Sequence, residues 1–566
     1  MKLNSYNPLT DKLEKILIKE IKNLFNIKIN FLNIKESPNI ELGHFSLNCF
    51  LLSKEIKENP IKIAEKLNKN LKLKSQNDKG YLNIFIEDKD FNYLINSIKD
   101  DSFFNKSNGK NEFTMIEYSQ PNTHKELHVG HMRNIALGSS LMNFYNYFKL
   151  NVTSSTFPGD SGTHVAKCLW YISKNGIKEP EEDKAKWLGE MYIEASQHLE
   201  KLKEERIDKK IKTQKEILID NELSHVLDEI RNEQGHFFIL WKKTRQYSID
   251  LMKEIYQWAD IDFDYWFYES EVDNESVNYI RELFKKNKLI EDNGAIGLPY
   301  KNSFCILLKK DGNGLYATKD ILLAKKKFEL GIHKNIYLVD ERQKFHFEQV
   351  FHVLKEIGFE HANKCEHLSY AHVELPDGLM KSREGNVVFL TDLIKNMERT
   401  IKKKFNSSKE DAKKIAKGGI FYGMLKQDPN KKIIFDMEEW LKLEGNTGSY
   451  LQYSAVRTKS LLDKNSFDKN KEFIFSISSE KEKDLLIKIS LFNEIVKQSI
   501  IKNKPSTLCN YLFDLSKVFN SFYAESSIKN EVDLNKKQTK LNICFSYFQT
   551  MKKALKLLQI DIPEQM

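Results

Sequence analysis

The stretch EYSQPNTHKELHVGHMRN, residues 117–134, follows a short β-rich run, EFTMIEYS (112–119), by a brief loop and then opens a helix. Helix N-termini at the carboxyl ends of parallel strands present unpaired N–H groups and attract phosphate. His128 and His131 lie three apart, which on a helix puts both imidazoles on one face. Gly130, just before the second, lets a flat base or a ribose approach the backbone. Two imidazoles in this setting can donate hydrogen bonds to phosphate oxygens and stabilise charge in a transition state, as neutral or as cationic donors. The same four residues also arise by chance, so the rest of the chain has to decide.

Outward from this stretch, NVTSSTF (151–157) reads as a strand ending at PGDSG, and NIYLVD (335–340) as a buried strand followed by a helix. SFCILLKKDGNGLYATKD (303–320) reads as a hairpin, because DGNG supplies turn residues between alternating runs. Residues 166 to about 260 are helical and highly charged. The alternation predicts a parallel α/β sheet interrupted by a helical insertion. Residues 1 to about 105 form a small mixed α+β domain: an opening helix, a strand at INFLNI, a helix started by Pro60, and a closing strand at YLNIFI. The polar run DDSFFNKSNGKN (100–111) reads as a linker. Beyond about residue 405 long amphipathic helices dominate, which predicts an all-α bundle.

The chain has 566 residues, 40% hydrophobic and 30% charged, the composition of a multidomain globular protein. No stretch approaches a membrane span, and the N-terminus reads as an amphipathic helix and not a signal peptide, so we expect a cytoplasmic protein. Six scattered cysteines without a CxxC pair argue against a disulfide framework and a structural zinc site. The net charge of +9 suits a polyanionic partner without demanding one.

HVGH resembles the HIGH signature of class I aminoacyl-tRNA synthetases, and the wider string 117–134 resembles arginyl-tRNA synthetases in particular. FPGDSGTH (157–164), GLYATKDILLAKKKFE, YLVDERQKFHFEQVFHVLKEIG, EGNTGSYLQYSAVR and LLQIDIPEQM are each similar to segments of that family, and HFSLNCFLLSKEIKENPIKIAEKL resembles its extra tRNA-contacting domain. The resemblance implies a Rossmann-type catalytic domain at 109–375 with its insertion at about 166–260. It further implies an additional domain at 1–108, a signature loop and connecting helices at 376–440, and a helical anticodon-binding domain at 441–566. It implies ATP with Mg²⁺, L-arginine and tRNA(Arg) as substrates and partners, no structural metal, and activation of arginine that waits for bound tRNA. A monomer is expected.

The second class I signature departs from the family pattern. Aligned on Gly385 and Asn386 in LMKSREGNVV, Leu379 takes the place of the usual first lysine and Lys381 that of the serine. Lys381, Ser382 and Arg383 then face the triphosphate, with Lys125 sharing the task, because any well-placed cation neutralises a pyrophosphate leaving group. Arginine is recognised by carboxylates in fork geometry. By resemblance, Asp320 pairs with the guanidinium, Glu117 and the Tyr316 hydroxyl take the remaining N–H groups, Asn122 holds the α-carboxylate and Gln343 the α-amino group. Tyr316 and Asp320 are four apart near a helix start, with Thr318 as a candidate N-cap. Asp320 also suits a first-turn acid that merely favours the helix dipole. Tyr450, Gln452, Tyr453 and Arg457 are the candidate RNA contacts, while the aromatic run YLFDLSKVFNSFY is expected to be mostly core. Two alternatives stay open: another class I synthetase such as the cysteinyl type, and a synthetase-like protein that binds tRNA without charging it, which the altered loop and His44 keep in play.

Overall fold

The computed structural model describes residues 7–105, 112–204, 212–376, 388–526 and 528–566, together with the backbone of 378–379. By contacts these group into two units, Met1–Gly109 with Tyr147–Lys149 and Lys442–Met566, and Lys110–Asn146 with Leu150–Leu441.

The second unit is built on a parallel sheet with strands in the order Cys365–Tyr370, Lys334–Asp340, Thr114–Glu117, Val152–Thr156 and Tyr265–Trp266. Thr114–Glu117 is buried at all four positions, as a central strand covered on both faces must be. From it the chain adds two strands on one side, then returns to the other side with Lys334–Asp340. That reversal opens a crevice at the carboxyl ends of the two adjoining strands, where doubly wound sheets bind ligands. Between Val152–Thr156 and Tyr265–Trp266 the chain forms the helices Thr163–Lys174, Lys184–Glu204, Gln214–Arg231 and Gly235–Ala259, the helical insertion expected. Gln214–Arg231 starts at a reciprocal Thr213–Glu216 capping box, a local signal strong enough to begin a helix amid charged sequence.

The expected hairpin at 303–320 is reduced to a tight turn closed by one antiparallel bridge, Leu308–Gly314, with no second strand after DGNG. Ser303–Leu308 pairs backwards with Ala295–Tyr300, and the chain after DGNG enters the helix Tyr316–Glu329. Capping wins over the alternating pattern: the Thr318 hydroxyl donates to the Leu307 carbonyl and accepts the Leu315 N–H at 3.1 Å, so it closes the helix start from the third helical position and is not the N-cap.

In the first unit, antiparallel strands run in the order Ile34–Glu36, Phe45–Asn48, Tyr81–Ile84 and Ser75–Asp78. The strand expected at INFLNI is displaced to Ile34–Glu36. Pro60 opens its helix behind an Asn59 cap, as read from sequence. Helices Gly448–Lys464, Glu480–Ser490, Phe492–Ile501, Ser506–Glu525 and Leu534–Leu557 make up the C-terminal part. Its core includes a Phe519–Tyr547 stack at 3.9 Å, with the Tyr547 hydroxyl bonded to Ser454 at 2.7 Å and Ser516 at 3.1 Å. The described part of the segment read as a linker is exposed except at Phe103 and Phe104, which are buried and pack against Phe492, an anchor that apolar burial supplies amid polar neighbours. No helix among the described residues is long and apolar enough to cross a membrane.

Candidate active site

His128 immediately precedes the helix Val129–Tyr147, and His131 is its third residue. Each imidazole accepts a backbone N–H at Nδ1, from Gly130 to His128 at 3.1 Å and from His128 to His131 at 3.0 Å. An Nδ1 that accepts leaves the proton of the neutral ring on Nε2. Burial pushes the pKa of His128 down to about 4, and the Arg342 and Lys125 charges press the same way. Burial and the neighbouring His128 push His131 well below its ordinary value. Of the two protonation states open at sequence level, the neutral one is selected: the rings, 4.0 Å apart, are Nε2–H donors at neutral pH. The segment is also zipped to the chain after the second signature, through Val129 N–H to Val388 O at 3.0 Å, Leu390 N–H to Leu127 O at 2.8 Å and the Thr391 hydroxyl to Glu126 at 2.5 Å.

The loop ahead of the pair holds costly conformations. Ser119 and His124 have φ of 55° and 58°, in the left-handed region. The structure over-determines them. The Ser119 N–H donates to Asn134 Oδ1 at 2.5 Å, and His124 is fully buried, with its N–H on Ser248 at 2.9 Å and its Nε2 against Thr244 at 2.8 Å. His124, the third histidine of the opening stretch, is therefore a structural anchor. Asn134 also donates to Leu338 O at 2.8 Å and Tyr370 Oη at 3.1 Å, tying the ends of three strands together. The buried Arg133 guanidinium donates to the carbonyls of Ala371, His372, Asp428, Pro429 and Lys431. Gly138 is required because Tyr118 lies where a Cβ would stand, at 2.2 Å.

The candidate arginine residues lie on elements beside the crevice, Glu117 and Gln343 at the ends of its two strands and Tyr316 and Asp320 on the helix Tyr316–Glu329. Glu117 ends its strand, buried, and is ion-paired with the fully buried Lys327 of the helix Tyr316–Glu329. That partner occupies Oε2, which leaves Oε1, 3.5 Å from Gln120 Nε2, as the oxygen facing a further donor. Asp320, seven residues before Lys327 on the same helix, accepts from His346 Nε2 at 2.6 Å. Asn122 packs against Gly159, where an added Cβ would lie 2.2 Å from its Oδ1. Gln343 is exposed just past the strand Lys334–Asp340, and Tyr316 is 63% exposed at the start of its helix. Tyr316 borders a cavity of about 700 Å³ lined also by Lys319, Glu269, Asp273, Trp241 and Arg245. Beside it, Asp160 is fully buried and bonded to Arg245 at 2.6 Å and to Ser270 at 2.7 Å, which explains the aspartate of PGDSG.

Lys125 stands over the Tyr192 ring at 4.6 Å. Lys381, Ser382 and Arg383 lie outside the described residues. In the first unit, Tyr453 and Arg457 are exposed one turn apart, with the Arg457 guanidinium 4.3 Å from the Tyr523 ring. Tyr450 is half-buried and accepts from Asn520 at 2.7 Å. Gln452 overturns its reading as an RNA contact: it is fully buried and donates to Asp561 O at 2.7 Å, so it holds the C-terminal segment. Sequence reading missed Arg133, Asn134, Lys327 and His346. The signal for the first two was polar side chains within the apolar run HMRNIALG.

Three family models match the chain: the class I arginyl tRNA synthetase catalytic domain over residues 94–436, the DALR anticodon binding domain over 451–566, and the arginyl tRNA synthetase N-terminal domain over 11–86. Arginine–tRNA ligase of Bdellovibrio bacteriovorus is 43% identical, covering 94% of this chain and 93% of the relative. That of Clostridium kluyveri is 32% identical, covering 98% of this chain and all of the relative. The fold matches the Thermus thermophilus arginyl-tRNA synthetase with a TM-score of 0.80 at 22% identity, covering 99% of this chain and all of that one. It matches the Plasmodium falciparum enzyme with a TM-score of 0.76 at 21% identity over the full length of both. With a catalytic-domain match over more than half its length and relatives aligned nearly end to end, this chain belongs to the arginyl-tRNA synthetases, enzymes of class I.

Proposed function

We propose that the chain ligates L-arginine to tRNA(Arg) in two steps at the crevice between strands Thr114–Glu117 and Lys334–Asp340. In the first, an arginine carboxylate oxygen attacks the α-phosphorus of ATP; a P–O bond forms, the α–β P–O bond breaks and pyrophosphate leaves. In the second, a ribose hydroxyl of the tRNA terminal adenosine attacks the arginyl carbonyl, loses its proton, and AMP leaves. The observation that carries this reading is the His128–His131 pair, two Nε2–H donors locked by the backbone at the carboxyl edge of the sheet. Preorganised neutral donors stabilise charge gathering on the α-phosphate without reorganising as it forms.

Asp320 and Glu117 would grip the guanidinium with Tyr316 beside them, Asn122 the α-carboxylate and Gln343 the α-amino group. Such a site rejects apolar analogues strongly, since they leave buried charges unmatched. Lys125, Lys381 and Arg383 would neutralise the leaving pyrophosphate, with Gly130 and Ser382 against the nucleotide. Mg²⁺ would be held by triphosphate oxygens, the hard donors it prefers; among the described residues no group of three or more His, Cys, Asp or Glu side chains is placed for a metal ion. Tyr450, Tyr453 and Arg457, on one face of Gly448–Lys464, would meet tRNA. The domain limits 1–108, 109–375, 376–440 and 441–566, a monomeric state and a cytoplasmic location belong to the same reading.

The test is arginine-dependent ATP–pyrophosphate exchange with and without tRNA(Arg). Exchange that needs tRNA supports the reading. No exchange in either case, with tRNA binding intact, overturns it in favour of a non-catalytic tRNA-binding protein.

A further inference from the structure

The two carboxylates facing the guanidinium site are not bare. Glu117 is paired with Lys327, and Asp320 with His346 across 2.6 Å. Lys327 and Asp320 share the helix Tyr316–Glu329, while His346 stands in the first turn of Lys344–Glu356. With His346 protonated, the four side chains sum to zero charge. An arriving guanidinium makes the sum +1 in a largely buried site, a state that costs free energy. Release of one proton restores neutrality, and His346 is the group whose side chain exchanges a proton near neutral pH.

We propose that His346 is a positioning residue for arginine recognition, which orients Asp320 through its Nε2–H and gives up its Nδ1 proton to solvent when the guanidinium settles on Asp320. This rests on the arginine-pocket reading above. The chemistry balances without a co-reactant: one cation enters, one proton leaves, and the Nε2–H···Oδ2 contact survives because a neutral imidazole still donates. Several groups act on this equilibrium. Asp320, from the helix Tyr316–Glu329, raises the His346 pKa and outweighs the burial that lowers it. His367, on Cys365–Tyr370, lies near enough that the His346 charge helps to lower its own pKa, as does Lys344 from the helix bearing His346. Tyr337, on Lys334–Asp340, sits beside Glu117 and Asp320 and stays un-ionised, pushed well up by burial. Of these, His346 is the histidine whose proton a carboxylate stabilises and a bound guanidinium would dislodge.

The sign follows. A ligand that releases a proton binds more tightly as pH rises through the pKa of the releasing group, by up to tenfold per pH unit for one proton. The experiment is isothermal calorimetry of L-arginine into the full chain in buffers of differing ionisation enthalpy, from pH 6 to 8. The chain as it stands should release a substantial fraction of one proton per arginine, approaching one at the acid end. His346→Gln, which keeps a donor to Asp320 but cannot titrate, should bind arginine with pH-independent affinity and release none. Heats that do not vary with buffer in the unaltered chain would overturn the proposal, as would unchanged release from His346→Gln. Asp320→Asn separates the two readings. If it binds arginine normally, the pocket reading fails and the exchange with it. If it loses arginine while the unaltered chain releases no proton, the pocket stands and the exchange alone is wrong.

Discussion

His131 and His346 occupy the same local position, the third residue of a helix in the second unit, yet their protonation equilibria are displaced in opposite directions. Both are partly exposed, and burial opposes the cation in both. A helix N-terminus likewise disfavours a cation in either place. The difference lies in the partner. His131 accepts a backbone N–H at Nδ1, a bond that only a ring unprotonated at that nitrogen can make, and the His128 and Lys125 charges press the same way. His346 donates to a carboxylate, which favours the charged one. One hydrogen bond, reversed in direction, holds one ring as a neutral Nε2–H donor and biases the other toward its charged form.

Three outcomes test that contrast, and a fourth tests the first unit. The largest effect should come from His128→Ala, which removes one of two preorganised donors: exchange should fall by roughly 10² to 10³ while arginine affinity stays nearly unchanged. Because burial pushes the His128 pKa down to about 4, its neutral form persists throughout pH 6–8, and the exchange rate should show no limb from it there. A limb near 6.5 that disappears in the variant would mean that the backbone does not hold the ring neutral. Next, Asp320→Ala should weaken arginine binding by about a hundredfold, on the order of 3 kcal/mol for truncating a buried charged partner. It should also drop the His346 pKa below the ordinary histidine value, since burial remains and the carboxylate is gone, as an NMR titration of the ring would report.

Lys125→Ala should slow exchange by about tenfold, roughly 1.4 kcal/mol, and leave tRNA binding intact. It should raise the His128 pKa slightly, because the ammonium helps to depress it. Equal losses in exchange and tRNA binding would point instead to damaged folding. The smallest effect belongs to the first unit. Arg457→Ala should weaken tRNA binding a few-fold and lower the salt dependence by about one counterion, with arginine affinity untouched. An unchanged salt slope would remove Arg457 from the RNA surface.

Much of this architecture is written locally. The capping box at Thr213–Glu216, the Asn59–Pro60 helix start and the buried run at Thr114–Glu117 act over a few residues, so they can be read from residue order alone. The HVGH stretch belongs to the same class: both bonds that set its tautomers come from backbone within three residues. Other features depend on contacts that residue order does not show. The Thr318 hydroxyl on the Leu307 carbonyl starts a helix after DGNG in place of a second strand, and the C-terminal segment covers Gln452 from 109 residues away.

The chain's order of residues thus settled its family and its alternation of strands and helices. Folding settled which charged side chains arrive already partnered. Lys327 meets Glu117 from 210 residues away, and His346 meets Asp320 from 26, across separate elements. No sequence period encodes such a pairing, because it depends on the register of a helix against a sheet, and charge state follows from the pairing and not from the residue.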